Sequence, residues 1–302
     1  MKGGLHTDLD NQGMCKNLVE KGNLDKPLII FNRTQKRADD LSAKLGSGKT
    51  KVATTMEEAV AASDIIFTCL GDDKAITSAV ETMVSSSVKG KLFVDCSTVH
   101  PDTTNGLGKT ITGAEAHFVA SPVFGAPAMA EGGQLVFVCA GPASDIEKMK
   151  PYAKGVMGRE IIEYKDQPYG QATLMKVIGN TFVLNMVETL AEGHTVAEKT
   201  GLGSENLHQF ITTMFPGPYA AYSTRMMKQD YIRDEPLFQV DLALKDAKHA
   251  LNLAEASGSK MKAVEVSKQH LQDVKSEQGE KGDLAGIYGA VRKESGLNFA
   301  LK

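Results

Sequence analysis

Short apolar runs punctuate the first half of the chain: Leu28-Ile29-Ile30-Phe31, Asp64-Ile65-Ile66-Phe67-Thr68-Cys69, Lys91-Leu92-Phe93-Val94, Ala116-His117-Phe118-Val119 and Leu135-Val136-Phe137-Val138. Between them lie mixed polar and apolar stretches with helical spacing, Thr34 to Leu45, Thr55 to Ala62, Asp72 to Met83 and Ala143 to Ala153. A continuous apolar run marks a strand buried on both faces, and alternation of such strands with helices implies a largely parallel sheet. The pattern from about Gly22 to Tyr164 therefore predicts a Rossmann-like, doubly wound α/β domain.

From about Gln167 the strand signals stop. Gly170 to Lys199 is apolar on nearly every face, with Leu174, Val177, Ile178, Phe182, Val183, Leu184, Met186, Val187 and Leu190. A helix of that length with so little polar surface calls for several neighbours, some from a second subunit. Further helices are predicted over Glu205–Met214, Leu237–Ala256, Lys260–Lys275 and Leu284–Glu294, broken at Pro216, Pro218 and Gly258. The expected division is a dinucleotide-binding domain over residues 1–166 and an all-helical substrate and dimerisation domain over 167–302, opening on a long interdomain helix. A homodimer or homotetramer follows from that helix.

At 302 residues, with 42% hydrophobic and 24% charged side chains, the chain is an ordinary globular one, large enough for two cores. The 34 basic and 37 acidic side chains leave a formal charge of -3, which excludes a general pull toward nucleic acid or an anionic membrane. The partner expected is a small-molecule substrate. Cys15, Cys69, Cys96 and Cys139 form no C-x-x-C pair, and the polar start Met1 to Asn11 reads as neither a signal nor a transit peptide, so a reducing, cytoplasmic setting is expected.

Two motif matches are decoys. Gly46-Ser47-Gly48-Lys49-Thr50 ends like a phosphate-binding P-loop, but Ala43 stands where the pattern needs glycine, and a helix precedes while a strand follows. A glycine C-cap turn explains it better. Ser86-Ser87-Val88-Lys89 matches S-x-x-K without companion motifs. The seven histidines show no metal-ligand spacing, and no metal site is expected.

More informative is Asn32-Arg33-Thr34, which closes the run Ile29-Ile30-Phe31. In a dinucleotide-binding domain the end of the second strand meets the adenine ribose, and an acid there would bind the 2′-hydroxyl of NAD. A neutral Asn32 followed by the guanidinium of Arg33 and the hydroxyl of Thr34 suits a 2′-phosphate instead, favouring NADP over NAD. A solvated helix cap at Asn32 or Thr34 is the alternative. Lys176 and Asn180 stand four apart, on one face of the apolar helix, where an unpaired ammonium is costly. Either the lysine snorkels to water, or burial moves it from about 10.4 toward the range of a general acid with a partner amide.

The order of these features resembles the β-hydroxyacid dehydrogenase family, from about Gly13 to Gly289. Asp95-Cys96-Ser97-Thr98 with Pro101 looks like its D-x-S-T-x-x-P turn, Pro122-Val123-Phe124-Gly125-Ala126 and Glu131-Gly132-Gly133-Gln134-Leu135 like its substrate loop, Lys176 and Asn180 like its K-x-x-x-N, and Phe238 with Lys245-Asp246 like its late motif. The resemblance implies hydride transfer between nicotinamide and a carbonyl or alcohol carbon, with Lys176 as general acid or base and Asn180 holding the oxygen. It implies substrate contacts from Ser97, Thr98, Phe124, Gly125, Ala126 and Phe238. It implies cofactor contacts from Asn32, Arg33, Thr34, Leu70, Gly71, Ser97, Lys245 and Asp246. Imine reductases share the architecture and are the enzymatic alternative.

The chain departs from that pattern at both ends of its first domain. Ahead of Gly13 it reads Leu5-His6-Thr7-Asp8-Leu9-Asp10-Asn11-Gln12, so G-x-G-x-x-G is missing, and Asp8 and Asp10 bring carboxylates where pyrophosphate would approach. The first strand, central in the order 3-2-1-4-5-6, is expected to be degenerate or missing. Either the start is mis-assigned or comes from an alternative exon, or the protein is a degenerate, non-catalytic relative acting as a dimeric binding module. Ala120 and Phe124 replace the family's Asp and the Ser of S-G-G, which predicts a bulkier or less polar carbonyl substrate.

Overall fold

The computed structural model describes residues 3–6, 9–46 and 48–301. The chain divides into two compact units, Met1–Val177 and Ile178–Lys302, so the division falls inside a helix, beyond the change expected at 166/167.

In the first unit the elements run β1 (Gly3–His6), α1 (Leu9–Lys21), β2 (Leu28–Phe31), α2 (Gln35–Leu45), β3 (Thr50–Val52), α3 (Met56–Ala61), β4 (Ile65–Thr68), α4 (Asp73–Val84), β5 (Leu92–Asp95), α5 (Pro101–Gly113) and β6 (His117–Ala120). They continue with β7 (Val123–Phe124), α6 (Pro127–Glu131), β8 (Leu135–Gly141), α7 (Ala143–Ala153) and β9 (Gly158–Lys165). The sheet order is β3-β2-β1-β4-β5-β6-β8-β7, with β9 paired to β8. Pairing is parallel from β3 to β6, and β8 turns antiparallel to both β6 and β7.

One expectation needs correction. The place between β2 and β4 is filled: β1 pairs parallel with both, Leu5 lying opposite Ile30 and Phe67. Backbone hydrogen bonds alone can hold a strand there, which a reading of side-chain pattern does not anticipate.

The strands alternate their side chains between two cores. Leu28, Ile30, Ile65, Phe67, Leu92, Val94, Phe137 and Cys139 join Met14 and Leu18 of α1 on one face. Ile66, Phe93, Phe118, Val138 and Ala140 join Ile76, Val80 and Leu107 on the other. This period of two is why continuous apolar runs appear in the sequence. Gly46 caps α2 at φ 97°, its N–H on the carbonyl of Ser42, so the P-loop lookalike is a helix-to-strand turn; Ser47 lies outside the described residues.

Helix α8 (Gly170–Thr200) leads into the second unit, which continues with α9 (Ser204–Met214), α10 (Pro218–Met227), α11 (Val240–Ala256), α12 (Lys262–Gln278) and α13 (Ile287–Glu294). No strand occurs among its described residues. Pro218 is not a break but the first residue of α10, where its fixed φ and missing N–H cost nothing. Helix α12 packs on both α11 and α13, and α9 on α10. No helix among the described residues is long and apolar enough to cross a membrane.

Candidate functional site

Strand β5 ends at Asp95, whose buried carboxylate organises the turn that follows. Its Oδ1 accepts the Thr68 hydroxyl from β4 at 2.8 Å, the Ser97 hydroxyl at 2.6 Å and the Ser97 N–H at 3.2 Å. Ser97 Oγ in turn accepts the N–H of Leu70 at 2.9 Å. The C-terminal ends of β4 and β5 are thus tied together where doubly wound sheets bind their ligands. A hydroxyl has one proton, and that of the fully buried Ser97 is spent on Asp95, so Ser97 builds the turn. Thr98 is partly buried beside it. Asp73 Oδ1, at the start of α4, accepts the His100 N–H at 2.9 Å and the Thr103 hydroxyl at 2.7 Å, fixing the entry to α5, where Pro101 takes the first helical position.

At the end of β2, Asn32 is buried and its Oδ1 accepts the N–H of Thr34 at 2.8 Å. Asn32 is therefore not solvated, while Thr34 is the N-cap residue of α2, without a side-chain capping bond, and is exposed like Arg33. Phe31 lines a small apolar pocket with Met56, Val60, Phe67, Leu70 and Met83. Gly71 follows Leu70 at the rim of β4 and is half-buried. Asp8, and the side chain of Asp10, lie outside the described residues.

The substrate-loop segment presents Phe124 from β7. Gly125, at φ 146°, and Ala126 are exposed beyond it. Lys176 places its Nζ 4.4 Å from the centroid of the Phe124 ring, while only 8% of the residue is exposed. A buried ammonium over an aromatic face is stabilised by the ring quadrupole. The lysine does not snorkel.

In the second unit Asn180 donates from Nδ2 to Asp246 Oδ2 at 2.6 Å, and Lys245 Nζ lies 3.3 Å from Asp246 Oδ1. Asp246 thereby orients the amide of Asn180. The segment carrying Phe238 is pinned by Asp283, fully buried, whose Oδ2 accepts the N–H groups of Leu237 and Phe238 at 2.7 and 3.1 Å while its Oδ1 pairs with Arg225 at 2.6 Å.

Several residues escaped the reading of the sequence. Asp283 and Asn17 were given no part in it and Asp95 only a place in the turn motif, and each is an organiser. Asn17 on α1 donates to the carbonyls of Gly13, Ala130 and Glu131 at 2.8, 2.8 and 3.2 Å, and Lys16 pairs with Glu131 at 2.7 Å, which anchors α6 and the loop after it. Lys16 and Asn17 on a helix read as solvent-facing, and only the tertiary contacts reveal otherwise. Burial pushes the Cys139 thiol up to about 12 and Cys96 well above its ordinary value, so neither is a nucleophile.

Two sequence families cover nearly all of this architecture. One, described as the NAD binding domain of 6-phosphogluconate dehydrogenase, matches residues 12–164; the other, described as NAD-binding of NADP-dependent 3-hydroxyisobutyrate dehydrogenase, matches residues 170–291. The NADH-dependent oxidoreductase ucdB of Aspergillus ustus is 35% identical over 95% of this chain and 97% of its own. Glyoxylate/succinic semialdehyde reductase 1 of Arabidopsis thaliana is 27% identical over 91% of this chain and 92% of its own. The 3-hydroxyisobutyrate dehydrogenase of Mycobacterium tuberculosis shares the fold, with a TM-score of 0.80 at 20% identity over 96% of this chain and 99% of that one. Sheet order, family matches and the fungal relative agree, and the chain belongs to the β-hydroxyacid dehydrogenase family as an NAD(P)-dependent oxidoreductase.

Proposed function

We propose that the chain interconverts a carbonyl and an alcohol on a small organic molecule, with NADP as cofactor and Lys176 as the group that gives or takes the proton. The observation that carries this reading is the seating of Lys176, a buried ammonium against the Phe124 ring rather than in water. Bound nicotinamide would supply or accept the hydride, and the protein positions and polarises. In the reducing direction Lys176 delivers its proton to the substrate oxygen, and in oxidation its neutral form removes the hydroxyl proton. Asn180, one turn along α8 and oriented by Asp246, holds the same oxygen. Thr98, Gly125, Ala126, Phe238 and the ring of Phe124 bound the substrate.

For the cofactor, Leu70 lies against the dinucleotide, and exposed Arg33 with Thr34 takes a 2′-phosphate, with Asn32 shaping the turn beneath them. Gly71, Lys245 and Asp246 complete its contacts. The fungal relative is named for NADH and the second family match for an NADP-dependent enzyme, so the choice rests on these residues. The working unit is a homodimer or homotetramer in the cytoplasm: Phe182 on α8 is 74% exposed, a face suited to a second copy.

Titration of NADPH fluorescence tests the reading. Saturable binding together with carbonyl-dependent NADPH oxidation is expected. Absence of binding at millimolar cofactor replaces this reading with a non-catalytic one, which the carboxylates Asp8 and Asp10 in the fingerprint positions would then explain.

A further inference from the structure

We infer that Asn17 is a positioning residue for the substrate: its amide fastens α6 to α1 and thereby holds the loop Phe124–Ala126 in place beside Lys176. The inference rests on the carbonyl-reductase reading above and deepens it.

The loop that carries Phe124 has two short anchors. Ahead of it, β7 is paired to β8, with Val123 opposite Phe137 and Phe124 opposite Val136. Behind it, α6 spans only the 5 residues Pro127–Glu131 and starts immediately after Ala126. A helix that short does not persist alone, so α6 lies where its neighbours hold it. The neighbour that holds it is α1. Asn17 is 1% exposed, and its Nδ2 donates to the carbonyls of Ala130 and Glu131 at 2.8 and 3.2 Å, besides that of Gly13 in its own helix at 2.8 Å. Ala130 and Glu131 stand in the last turn of α6, where carbonyls run out of partners within their helix, so the amide acts as a cap supplied by another helix. Its Oδ1 accepts the Lys21 ammonium at 2.7 Å, which fixes the orientation of the amide. A β-carbon on Gly133 would lie 2.9 Å from that same oxygen, and one on Gly13 would lie 2.5 Å from the Ala130 carbonyl carbon. Backbone thus packs closely on both sides of the amide.

A leucine at this position would bury as much surface. What the amide adds is direction, since a fully bonded buried polar group admits one arrangement where apolar side chains tolerate several. The face of α1 that meets α6 is complete, with Gly13, Lys16 and Asn17 all engaged, although Asp8 and Asp10 precede it in place of fingerprint glycines. In this chain α1 therefore braces the substrate loop. A displaced α6 would shift Phe124, whose ring centroid lies 4.4 Å from Lys176 Nζ, and with it the surface on which the substrate rests. The proton donor itself stands on another element, α8, so substrate binding suffers more than the chemical step.

Asn17→Asp tests this, because it keeps the size and the contact with Lys21 while setting an oxygen against the carbonyls of α6. Methyl phenylglyoxylate and phenylglyoxylate, an uncharged and an anionic ketone, serve as probes with NADPH and the full chain. For the probe that is turned over faster, Asn17→Asp should raise KM about tenfold, with kcat kept within about threefold and the NADPH dissociation constant within about twofold. Lys21→Met, which spares the donor side of the amide, should leave all three within about twofold. A merely structural loss would lower kcat at constant KM, so an unchanged KM in Asn17→Asp overturns the inference and leaves the reductase reading intact. An equal rise of KM in Lys21→Met does the same. Hydrogen exchange in the unaltered chain decides the point even where Asn17→Asp does not fold. The N–H groups of Ala130 and Gly133, bonded to the carbonyls of Ala126 and Ala130, should exchange within about tenfold of the buried Leu18 amide, because α6 opens only together with α1. Exchange at the rate of a free loop overturns the inference. Turnover of neither probe, with cofactor bound, overturns the reductase reading and this inference together.

Discussion

Gly13 on α1 lies so close to Ala130 on α6 that a β-carbon would stand 2.5 Å from the Ala130 carbonyl carbon and 2.5 Å from the Glu131 nitrogen. Of the three glycines that a dinucleotide fingerprint carries, the last serves packing, and that is the one this chain keeps. The positions of the first two, which serve the tight turn and the approach of backbone to pyrophosphate, hold Asp8 and Asp10. Packing and phosphate binding are thus separable parts of one motif. Gly13→Ala should destabilise the first unit by about 1–3 kcal/mol through overpacking against rigid backbone. Gly106→Ala, inside α5 with nothing within 4 Å of its would-be β-carbon, should instead stabilise by roughly 0.5–1 kcal/mol. Urea denaturation of both variants measures the opposite signs; a neutral Gly13→Ala would refute the tight contact.

Cofactor choice separates in the same way. Arg33 is exposed and follows a buried Asn32 that offers no carboxylate to a ribose. Arg33→Ala should raise the dissociation constant for NADPH about tenfold and leave NADH nearly unchanged. The double change Asp8→Gly with Asp10→Gly should tighten both cofactors, because it removes two charges that repel pyrophosphate from either. Isothermal titration of both nucleotides with the two variants distinguishes a 2′-phosphate contact from a general phosphate effect. Equal loss of NADPH and NADH on Arg33→Ala would remove Arg33 from that role.

Lys176→Ala should cut kcat by roughly 10²–10⁴-fold while the NADPH dissociation constant stays the same, since the proton donor acts only during reaction. Asp246→Ala should reduce kcat less, by about tenfold, by releasing the Asn180 amide that it holds at 2.6 Å. Pre-steady-state NADPH oxidation with one carbonyl substrate reads both. Retention of full turnover in Lys176→Ala would assign proton transfer elsewhere.

How far the sequence carries depends on where the determining contacts lie. Strands β2, β4, β5, β6 and β8 are legible because burial on both faces writes them as apolar runs, and α8 because apolar residues recur on nearly every face between Leu174 and Ala191. Strand β9, Gly158–Lys165, escaped the reading because its exposed positions carry Arg159, Glu160 and Lys165, so its burial is too uneven to leave an apolar run. Strand β1 has no apolar run, and its place is set by pairing with β2 and β4. Lys176 and Phe124 were each singled out from motifs, but their mutual contact spans 52 positions (176 minus 124) and belongs to the folded chain. The hydrogen bonds that tie Ser97 to Asp95 and Leu70 were equally invisible, because they join the ends of two strands 27 residues apart.

Two histidines in the second unit give its stability a maximum in pH. His270 on α12 lies between Glu188 Oε1 at 2.7 Å and Glu294 Oε2 at 3.1 Å, and hydrogen bonding to Glu188 first, against burial, raises it to about 9. His194 on α8 is buried, shares the Ser223 hydroxyl with His208, each at 2.8 Å, and is lowered to about 4, chiefly by burial and then by the charge of His208. In the unfolded chain both titrate near 6.5. The His270 contribution is full below about pH 6.5 and is lost as pH rises through about 9, where the folded imidazolium finally gives up its proton. The His194 contribution is full above about pH 6.5 and is lost as pH falls through about 4, where a buried cation must form. The two limbs meet near pH 6.5, and each is worth on the order of 1–2 kcal/mol once solvent screening is allowed for. Urea midpoints followed by helical circular dichroism across this range should therefore trace a dome. His270→Gln should flatten the alkaline limb and leave the acid limb, and His194→Gln should do the reverse; a dome unchanged in both variants would assign the pH dependence to other groups.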